Sequence, residues 1–521
     1  MASSPNHDHA AEQEARPVPP RYWWLKRIGP AAGVFVLALV GLRLWWGHEA
    51  ERRLQAKIAE YYAAGEPVLL EDLAPEAIPD EENGAYFLQK AAALLSQPID
   101  ASEVVWDLRH GQLDPTVARK SLADNAEVLR LVREARSKPA ADWKVSFSTP
   151  GVNVLLPYLS SQRALAKAVY SAATYQHLLG NDAAALELVR DGIGIGRHVD
   201  GGPAMVISHL VAVAIDGLGC LTLEAIVPDL RFADGTSSAP ADARPATREQ
   251  VQVLIDELSD ESGLQAGWVL AMRSERMMEL DTIQALCNGR VSVSGLANMT
   301  PPSAAWLVDR PVGALLGPAW KLDALRMMAN CDALALAGTA PNWPTAQQRL
   351  PPNSVPSTAA QHVSRIASTI LMPSLERAVL IQFRDCAQRR TAAVALALRL
   401  YESDNERRPA SLADLVPDYL PAIPRDPFDV QDGPIRYLPE AHSPLLYSVG
   451  SNGVDDGGRV VLKGSGGVDY DAGDQPFFLN GDRPMPAPQR DQTGAPPQSQ
   501  PASTQTVVDD QQVEDAERPQ N

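Results

Sequence analysis

The sequence predicts a mainly α-helical protein with one N-terminal transmembrane helix, an irregular bundle of helical hairpins and a small α+β domain at the C-terminus. Three observations support this fold class. A stretch near the N-terminus is apolar and uncharged, the chain from Pro115 to about Arg290 repeats apolar residues at spacings of three and four, and short apolar runs separated by Pro and Gly follow Pro409. These patterns are typical of a membrane span, of amphipathic helices and of strands, respectively.

Residues Ile28–Trp46 predict the membrane anchor. No charged residue occurs between Ile28 and Leu42, and the stretch approaches the roughly 20 residues with which a helix crosses the hydrocarbon core. We expect Arg43 to extend its charge towards the membrane surface. Basic and aromatic residues, which mark a cytoplasmic membrane edge, precede the span at Arg21, Tyr22, Trp23, Trp24, Lys26 and Arg27.

The same flanks predict the topology. No small-residue cleavage site follows Trp46, so we expect an uncleaved anchor rather than a removed signal peptide. Because the basic residues precede the span, the N-terminus is expected in the cytoplasm and the bulk of the chain outside. The sequence therefore predicts a single-pass inner-membrane protein.

Composition limits the partners and the chemistry. The chain has 521 residues, of which 45% are hydrophobic, which is enough for two or three domains with apolar cores. Its 46 Lys and Arg residues against 64 Asp and Glu residues give a formal charge of -18, which argues against a nucleic-acid partner because phosphates would be repelled. The four cysteines are Cys220, Cys287, Cys331 and Cys386, and no two of them form a Cys-x-x-Cys pair. We expect them to be buried thiols, although a disulfide is permitted outside the cytoplasm.

The predicted organisation has six segments. They are a disordered cytoplasmic tail at 1–27, the anchor at 28–46, a helical-hairpin domain at 47–300, a Pro- and Trp-rich irregular segment at 301–358, a long helix with a small antiparallel sheet at 359–480, and a disordered tail at 481–521. The clearest hairpin is Leu159–Val199, which turns at Gly180-Asn181-Asp182 and is similar to one tetratricopeptide helix pair. A solenoid needs about three such units, so we predict an irregular bundle.

Helix and strand boundaries follow from local signals. Asn83 is a predicted N-cap, Glu49 to Ala64 is predicted to be a helix that leaves the membrane, and Ser374 is predicted to begin the long helix. The predicted strands are Ile435–Leu438, Leu445–Val449 and Val460–Leu462.

The acidic loop Tyr447–Gly458 and the segment Asp469–Asp474 carry the main chemical signal, because they place oxygen ligands between glycines. Ca²⁺ prefers six to eight hard oxygen ligands in a flexible loop. The candidate ligands are Ser451, Asn452, Asp455, Asp456, Asp469, Asp471 and Asp474. The spacing is not that of an EF-hand, and a solvated acidic turn is the alternative interpretation.

Three motifs in order carry a resemblance that covers about 100 residues. Tyr401 to Pro409 reads Tyr-x-x-Asp-Asn-x-x-x-Pro, Asp426-Pro427 follows, and Tyr447 to Gly450 reads Tyr-Ser-x-Gly. This region resembles the periplasmic part of the major pseudopilin of type II secretion, which implies a calcium-holding loop. The family has an acidic residue where this chain has Asn452. No prepilin cleavage signal precedes a hydrophobic helix, so pilin processing is not expected.

The whole chain is similar to a group of signal-anchored planctomycete proteins, a resemblance that implies no reaction. In the bundle we expect His177, His198 and His209 to be satisfied core-boundary residues, with a metal site as the alternative. Four charged residues lie close together on one predicted helix, namely Arg273, Glu275, Arg276 and Glu279. We expect them to form a solvated face on which they pair with one another, with a buried network or a binding groove as the alternative.

These observations favour a membrane-anchored, non-enzymatic extracytoplasmic scaffold for a protein partner, with a C-terminal module stabilised by Ca²⁺. A cell-envelope hydrolase that uses a carboxylate pair in a helical cleft is the second hypothesis. A pilus-like assembly subunit is the third.

Overall fold

The structure, a computed structural model, describes residues 22–73, 78–95, 100–147, 151, 154–202, 205–233, 244–291, 306–352, 358, 364–440, 443–464 and 467–485. The predicted tail from residue 486 onwards, and all but the last residues of the predicted tail at 1–27, lie outside this range. The chain is mainly helical, with a small sheet, as predicted. The helices are α1 (Trp23–Ala63), α2 (Gly84–Leu94), α3 (Ala101–Arg109), α4 (Pro115–Asp124), α5 (Ala126–Arg136), α6 (Tyr158–Leu178), α7 (Asp182–Asp200), α8 (Val206–Ile226), α9 (Arg248–Ser259), α10 (Ser262–Cys287), α11 (Trp306–Gly338), α12 (Trp343–Arg349) and α13 (Ile366–Asn405). The strands are β1 (Arg436–Leu438), β2 (Leu445–Ser448) and β3 (Gln475–Phe478).

Helix α1 joins the predicted anchor and the helix after it into one continuous element of 41 residues, about 60 Å long at 1.5 Å per residue. The described apolar side chains from Ile28 to Leu42 are exposed, and this part of α1 is long and apolar enough to cross a membrane. Helix α8 has similar hydropathy but is largely buried, which is the arrangement of a core helix.

The second half of α1 packs on the body of the protein. Ala50, Leu54, Ile58 and Tyr61 are buried at spacings of four, four and three, and all but Ala50 belong to an apolar cluster with residues of α10 and α11. The spacing puts these side chains on one helical face. Helix α1 therefore connects its exposed apolar first half to the core of the body without a break.

Helix α13 organises the bundle because it passes through both large cores. Its first half packs Val379 and Phe383 against α10, α11 and α12, and its second half packs Val394 and Leu398 against α8 and α9. The predicted start at Ser374 is wrong, since the helix begins eight residues earlier at Ile366. Pro373 directly precedes Ser374 and suggests a helix boundary there, because proline disfavours the helical conformation in the residue before it.

The predicted hairpin is confirmed. Helices α6 and α7 pack together and are joined at Gly180, whose φ of +86° is accessible to glycine at little cost. The Asn83 side chain accepts a hydrogen bond from Ala85 N, so the predicted cap of α2 is also confirmed.

The prediction of an irregular segment at 301–358 is wrong for its described residues, since α11 and α12 occupy most of them. The prolines and tryptophans suggested loops. The run of Ala, Leu and Met between Lys321 and Gly338 has high helix propensity, and it outweighs Pro311 and Pro318 nearer the start of α11.

The sheet is antiparallel in the order β1-β2-β3, with Arg436 opposite Tyr447 and Leu445 opposite Phe478. Two of the predicted strands are confirmed. The third is wrong, because Val460–Leu462 makes a single bridge, from Leu462 to Val468, and β3 supplies the outer strand. Pro476 lies inside β3, and a proline in the sequence argues against a strand, so β3 was not predicted. Proline is tolerated here because β3 is an edge strand.

Candidate functional site

The seven predicted calcium ligands divide into two groups in the structure. One group lies around the glycine turn after β2 and contains Asn452, Asp455, Asp456 and Asp474. The Asp474 carboxylate accepts hydrogen bonds from Gly458 N at 2.7 Å and from Asp456 N at 3.4 Å. Burial, together with the charges of Asp455 and Asp456, raises the pKa of Asp474 although those amides oppose the shift.

Asp455 in this group is held by protein donors. Its carboxylate accepts from Arg436 Nε at 2.8 Å, from the Tyr447 hydroxyl at 3.1 Å and from Gly457 N at 3.0 Å. Partial burial opposes ionisation, yet the hydrogen bonds from Arg436 and Gly457 N lower the pKa of Asp455. The carboxylate is therefore ionised and already partnered.

The second group, Ser451, Asp469 and Asp471, lies beside α13. Arg384 of that helix contacts the Ser451 hydroxyl at 3.2 Å, the Tyr470 carbonyl at 3.3 Å and the Asp471 carboxylate. Asp469 accepts from Asp471 N at 3.0 Å. A guanidinium thus occupies the centre of three oxygens from this segment, a position that suits a cation.

Asp426 connects the motifs that carry the pseudopilin resemblance. It is fully buried and accepts from Phe428 N at 3.0 Å, from Val449 N at 2.9 Å and from the Ser448 hydroxyl at 2.6 Å. Arg436 pairs with the same carboxylate at 3.1 Å. The Asp-Pro turn and the Tyr-Ser-x-Gly loop are therefore fastened to each other by one carboxylate.

Within the described ranges, no three His, Cys, Asp or Glu side chains come together in a way that could hold a metal ion. The calcium site stays a prediction. The three histidines of the bundle lie in separate places: His177 contacts Asp182 at 2.6 Å, His198 contacts the Ala135 carbonyl at 2.7 Å, and His209 contacts Asp200 at 2.9 Å.

A cavity of about 340 Å³ lies between α7, α8, α9 and α10 in the body. Its wall combines four arginines with four acidic residues, namely Arg136, Arg190, Arg197, Arg389, Asp200, Asp216, Glu257 and Asp260. Small residues allow the helices to approach: a Cβ at Gly267 would lie 1.9 Å from the Asp200 carboxylate. Most of the charges are paired, as in the two hydrogen bonds from Arg190 to Glu257 at 2.8 and 2.9 Å.

Arg389 and two aspartates form the most buried charged group beside this cavity. Arg389 donates to Asp216 at 2.6 Å and to the carbonyls of Glu257 and Asp260 at 2.7 and 3.0 Å. Asp385, one turn earlier on α13, is only 2% exposed, and neither of its carboxylate oxygens has a partner within the described part of the chain. Burial and the charge of Asp216 raise the pKa of Asp385 well above its ordinary value, and burial also raises that of Asp216.

The charges on α10 form a buried network instead of the expected solvated face, so that prediction is wrong. Arg276 is buried, pairs with Glu66 at 2.7 Å and Asp332 at 2.8 Å, and stacks 3.9 Å from the ring centre of Tyr61. Glu279 is also buried, and its neighbour Glu275 lies one turn away. Arg273 and Glu275 are partly exposed, and the Arg273 side chain, which is 42% exposed, keeps the expected surface character.

Sequence reasoning missed Asp216, Asp385 and Arg389. Asp216 is an isolated charge in an apolar helical stretch, which was the available signal because such a charge must be paired when the helix is buried. Asp385 and Arg389 stand next to Arg384 and Arg390 in the sequence and carry no such signal. The four cysteines are free thiols, and burial raises the pKa of Cys220, Cys331 and Cys386 well above the ordinary value.

The chain matches no protein-family model, no curated protein and no solved structure. The resemblances to the pseudopilin and to the planctomycete proteins stay predictions.

Proposed function

We propose that this protein is a single-pass inner-membrane protein whose body is a scaffold for a protein partner on the extracytoplasmic side. One observation carries the proposal: α1 is exposed and apolar over its first half and buried in the body over its second half. An exposed, uncharged helical stretch of this length is stable in a bilayer and unfavourable in water. The basic residues before it favour a topology with the body outside.

The interior of the body supports a scaffold, because its charges are engaged with one another. Arg190 at the cavity, Arg276 on α10 and Arg436 in the C-terminal sheet each contact a carboxylate outside their own element. Such cross-links between elements favour a rigid body over a site with free catalytic groups.

The test uses full-length protein purified in detergent from its own membranes with a C-terminal tag. We expect a partner that co-purifies in a fixed ratio, that can be crosslinked before solubilisation, and that is absent when residues 22–46 are deleted. Recovery of the chain alone from crosslinked membranes would contradict the scaffold.

The calcium half of the proposal concerns Asn452, Asp455, Asp456 and Asp474, since Arg384 already holds Asp471. Titration of the purified protein with Ca²⁺ is expected to release heat and to raise the melting temperature, because the ion would offset the repulsion among three neighbouring carboxylates. Asp474→Asn should abolish both effects. Equal melting curves with Ca²⁺ and with chelator would remove this half and leave the scaffold untouched.

A second candidate function, hydrolysis of an envelope polymer, is favoured by the position of Asp216 at the cavity wall and by the burial that raises its pKa, because a general acid must hold its proton more strongly than an ordinary carboxyl group does. Release of soluble fragments from purified cell wall would support it. Asp216→Asn should then abolish release, and Asp256→Asn, on the exposed face of α9, should not.

A further inference from the structure

Helices α1 and α11 run side by side in the same direction. Arg43 Nε donates to the Leu315 carbonyl at 3.0 Å, Glu51 pairs with Lys321 at 2.6 Å, and the Tyr61 hydroxyl contacts Asp332. The two residues of each pair differ in number by 270 to 272. A constant offset over 18 residues of α1, about 27 Å of helix, is expected only of parallel neighbours.

This alignment fixes the level of the first turns of α11 relative to the anchor. The described part of α11 begins at Trp306, nine residues before Leu315, which corresponds to about 14 Å of helix. Its first turns are therefore level with the part of α1 that precedes Arg43, inside the apolar stretch. The sequence from Trp306 to Leu316 is apolar apart from Asp309 and Arg310.

Arg43 gives independent support. It follows an uncharged apolar stretch, and we expected its side chain to extend to the membrane surface. Instead it turns to α11 and donates to a backbone carbonyl. Charged side chains within or beside a membrane span typically face another protein element and pair with such carbonyls. Leu315 on α11 is 63% exposed and lies level with the exposed Leu44 and Trp45 of α1.

The geometry points to a second membrane contact: the segment Trp306–Leu316 of α11 enters the outer half of the bilayer beside α1, from the level of Leu37 at Val308 to the outer end of the span at Leu315. This inference rests on the proposed membrane anchoring and adds to it. The occupant of the exposed apolar surface at Leu315 is lipid, because that surface continues the apolar surface of α1 at the same level. The body is then held at two points and has a fixed orientation on the membrane.

The test is a depth measurement with spin labels on full-length protein in vesicles of phosphatidylcholine and phosphatidylglycerol. Labels are placed on Leu315→Cys and Val308→Cys, in a background with Cys287→Ser, because the other three native thiols are buried. Leu336→Cys is the matched control. Leu336 lies on the same helix as Leu315 and is 61% exposed, but it is near the end of α11 that is far from the proposed membrane contact. Leu37→Cys reports the anchor.

We expect labels at Leu37, Leu315 and Val308 to collide more often with oxygen than with a water-soluble nickel complex, and the label at Leu336 to show the reverse. A nickel-accessible Leu315 beside an oxygen-accessible Leu37 would overturn the second contact and leave the anchor in place. A nickel-accessible Leu37 would overturn both. Spin–spin broadening at Leu315 that disappears on dilution with unlabelled protein would show contact with a second copy and would also overturn the inference.

Discussion

The two halves of α1 differ in pattern as much as in surroundings. From Ile28 to Leu42 the residues are apolar on every face, and the described side chains are exposed. From Gly47 to Ala63 the buried residues Leu54, Ile58 and Tyr61 lie on one face, and α10 and α11 cover them. A helix that is apolar all round needs lipid or a surrounding core, whereas a one-sided helix needs a protein surface. Under the proposed anchoring, the change from one pattern to the other lies where the membrane ends.

The largest expected effect comes from a charge in the first half. Leu37→Arg places an arginine near the middle of the span, at a cost of about 3 kcal/mol for insertion. We expect most of the protein to be lost from carbonate-washed membranes, as measured by immunoblotting. Leu44→Arg is the control: Leu37 is 71% and Leu44 67% exposed, but an arginine at 44 can reach the headgroups. Equal retention of both variants would contradict a span centred near residue 37.

A cavity in the second half should act differently. Leu54 is 1% exposed in the cluster that joins α1 to α10 and α11. Leu54→Ala should lower the free energy of unfolding by about 3 kcal/mol without changing membrane retention. Denaturant unfolding in detergent measures this loss. Gln55→Ala, on the exposed face next to it, should change stability by less than about 0.5 kcal/mol, and similar losses for both variants would place the second half outside the core.

The ion pairs of Arg276 with Glu66 and Asp332, which we call the ionic clamp, lie beside the second half of α1. They should contribute less to stability than the apolar contacts of this half. Arg276→Met leaves Glu66 and Asp332 without their partner, but both carboxylates touch solvent, so the loss should be about 2 kcal/mol rather than the larger value for fully buried pairs. Thermal unfolding measures it. Arg273→Met, one turn away with a distance of 3.9 Å to Glu66, is the control and should have almost no effect. A larger loss of stability for Arg273→Met than for Arg276→Met would show that Arg273, and not Arg276, forms the stabilising ion pair.

The smallest effect is a pH dependence from the acids beneath the clamp. Burial raises the pKa of Glu275 to about 7, and burial together with the charge of Glu275 raises the pKa of Glu279 well above its ordinary value. A folded-state pKa above the unfolded value means that the folded protein binds more protons, so stability falls as pH rises from about 4.5 towards 7 and beyond. Glu279→Gln should therefore raise the melting temperature at pH 8 more than at pH 5, by the equivalent of about 1 kcal/mol.

Thermal scans at the two pH values give the difference directly. Gln284→Glu, a substitution at the end of the same helix, adds a carboxyl group at a partly buried position rather than removing one, and should not reduce the pH dependence. An identical gain for Glu279→Gln at pH 5 and pH 8 would show that Glu279 ionises normally in the folded protein.

Where the sequence predicted the fold correctly, a local signal and the tertiary packing agree. The α6–α7 hairpin has a glycine at the turn and apolar residues at helical spacing, and β1 and β2 have short apolar runs between turn residues. The failures come from signals that tertiary context overrode. Helix α11 was hidden by its prolines, and β3 by Pro476, because a proline is a local penalty that a long favourable helix or an edge position offsets.

The candidate site was less predictable than the fold. The oxygen-rich loop could be read from its composition, but composition does not show that Arg384 and Arg436 already hold its carboxylates. The buried charges of Arg276, Asp385 and Arg389 depend on which helix faces meet, and a single sequence does not give those contacts. The isolated position of Asp216 in the apolar sequence of α8 was the one usable signal.

The claim on which the account depends is that α1 crosses the inner membrane and carries the body to the outer side. A reporter enzyme that is active only outside the cytoplasm, fused after Asn521, tests it directly. We expect this reporter to be active. A fluorescent protein that matures only in the cytoplasm, fused at the same position, should not fluoresce. Activity of the cytoplasmic reporter alone would contradict the topology, and with it the scaffold and the second membrane contact.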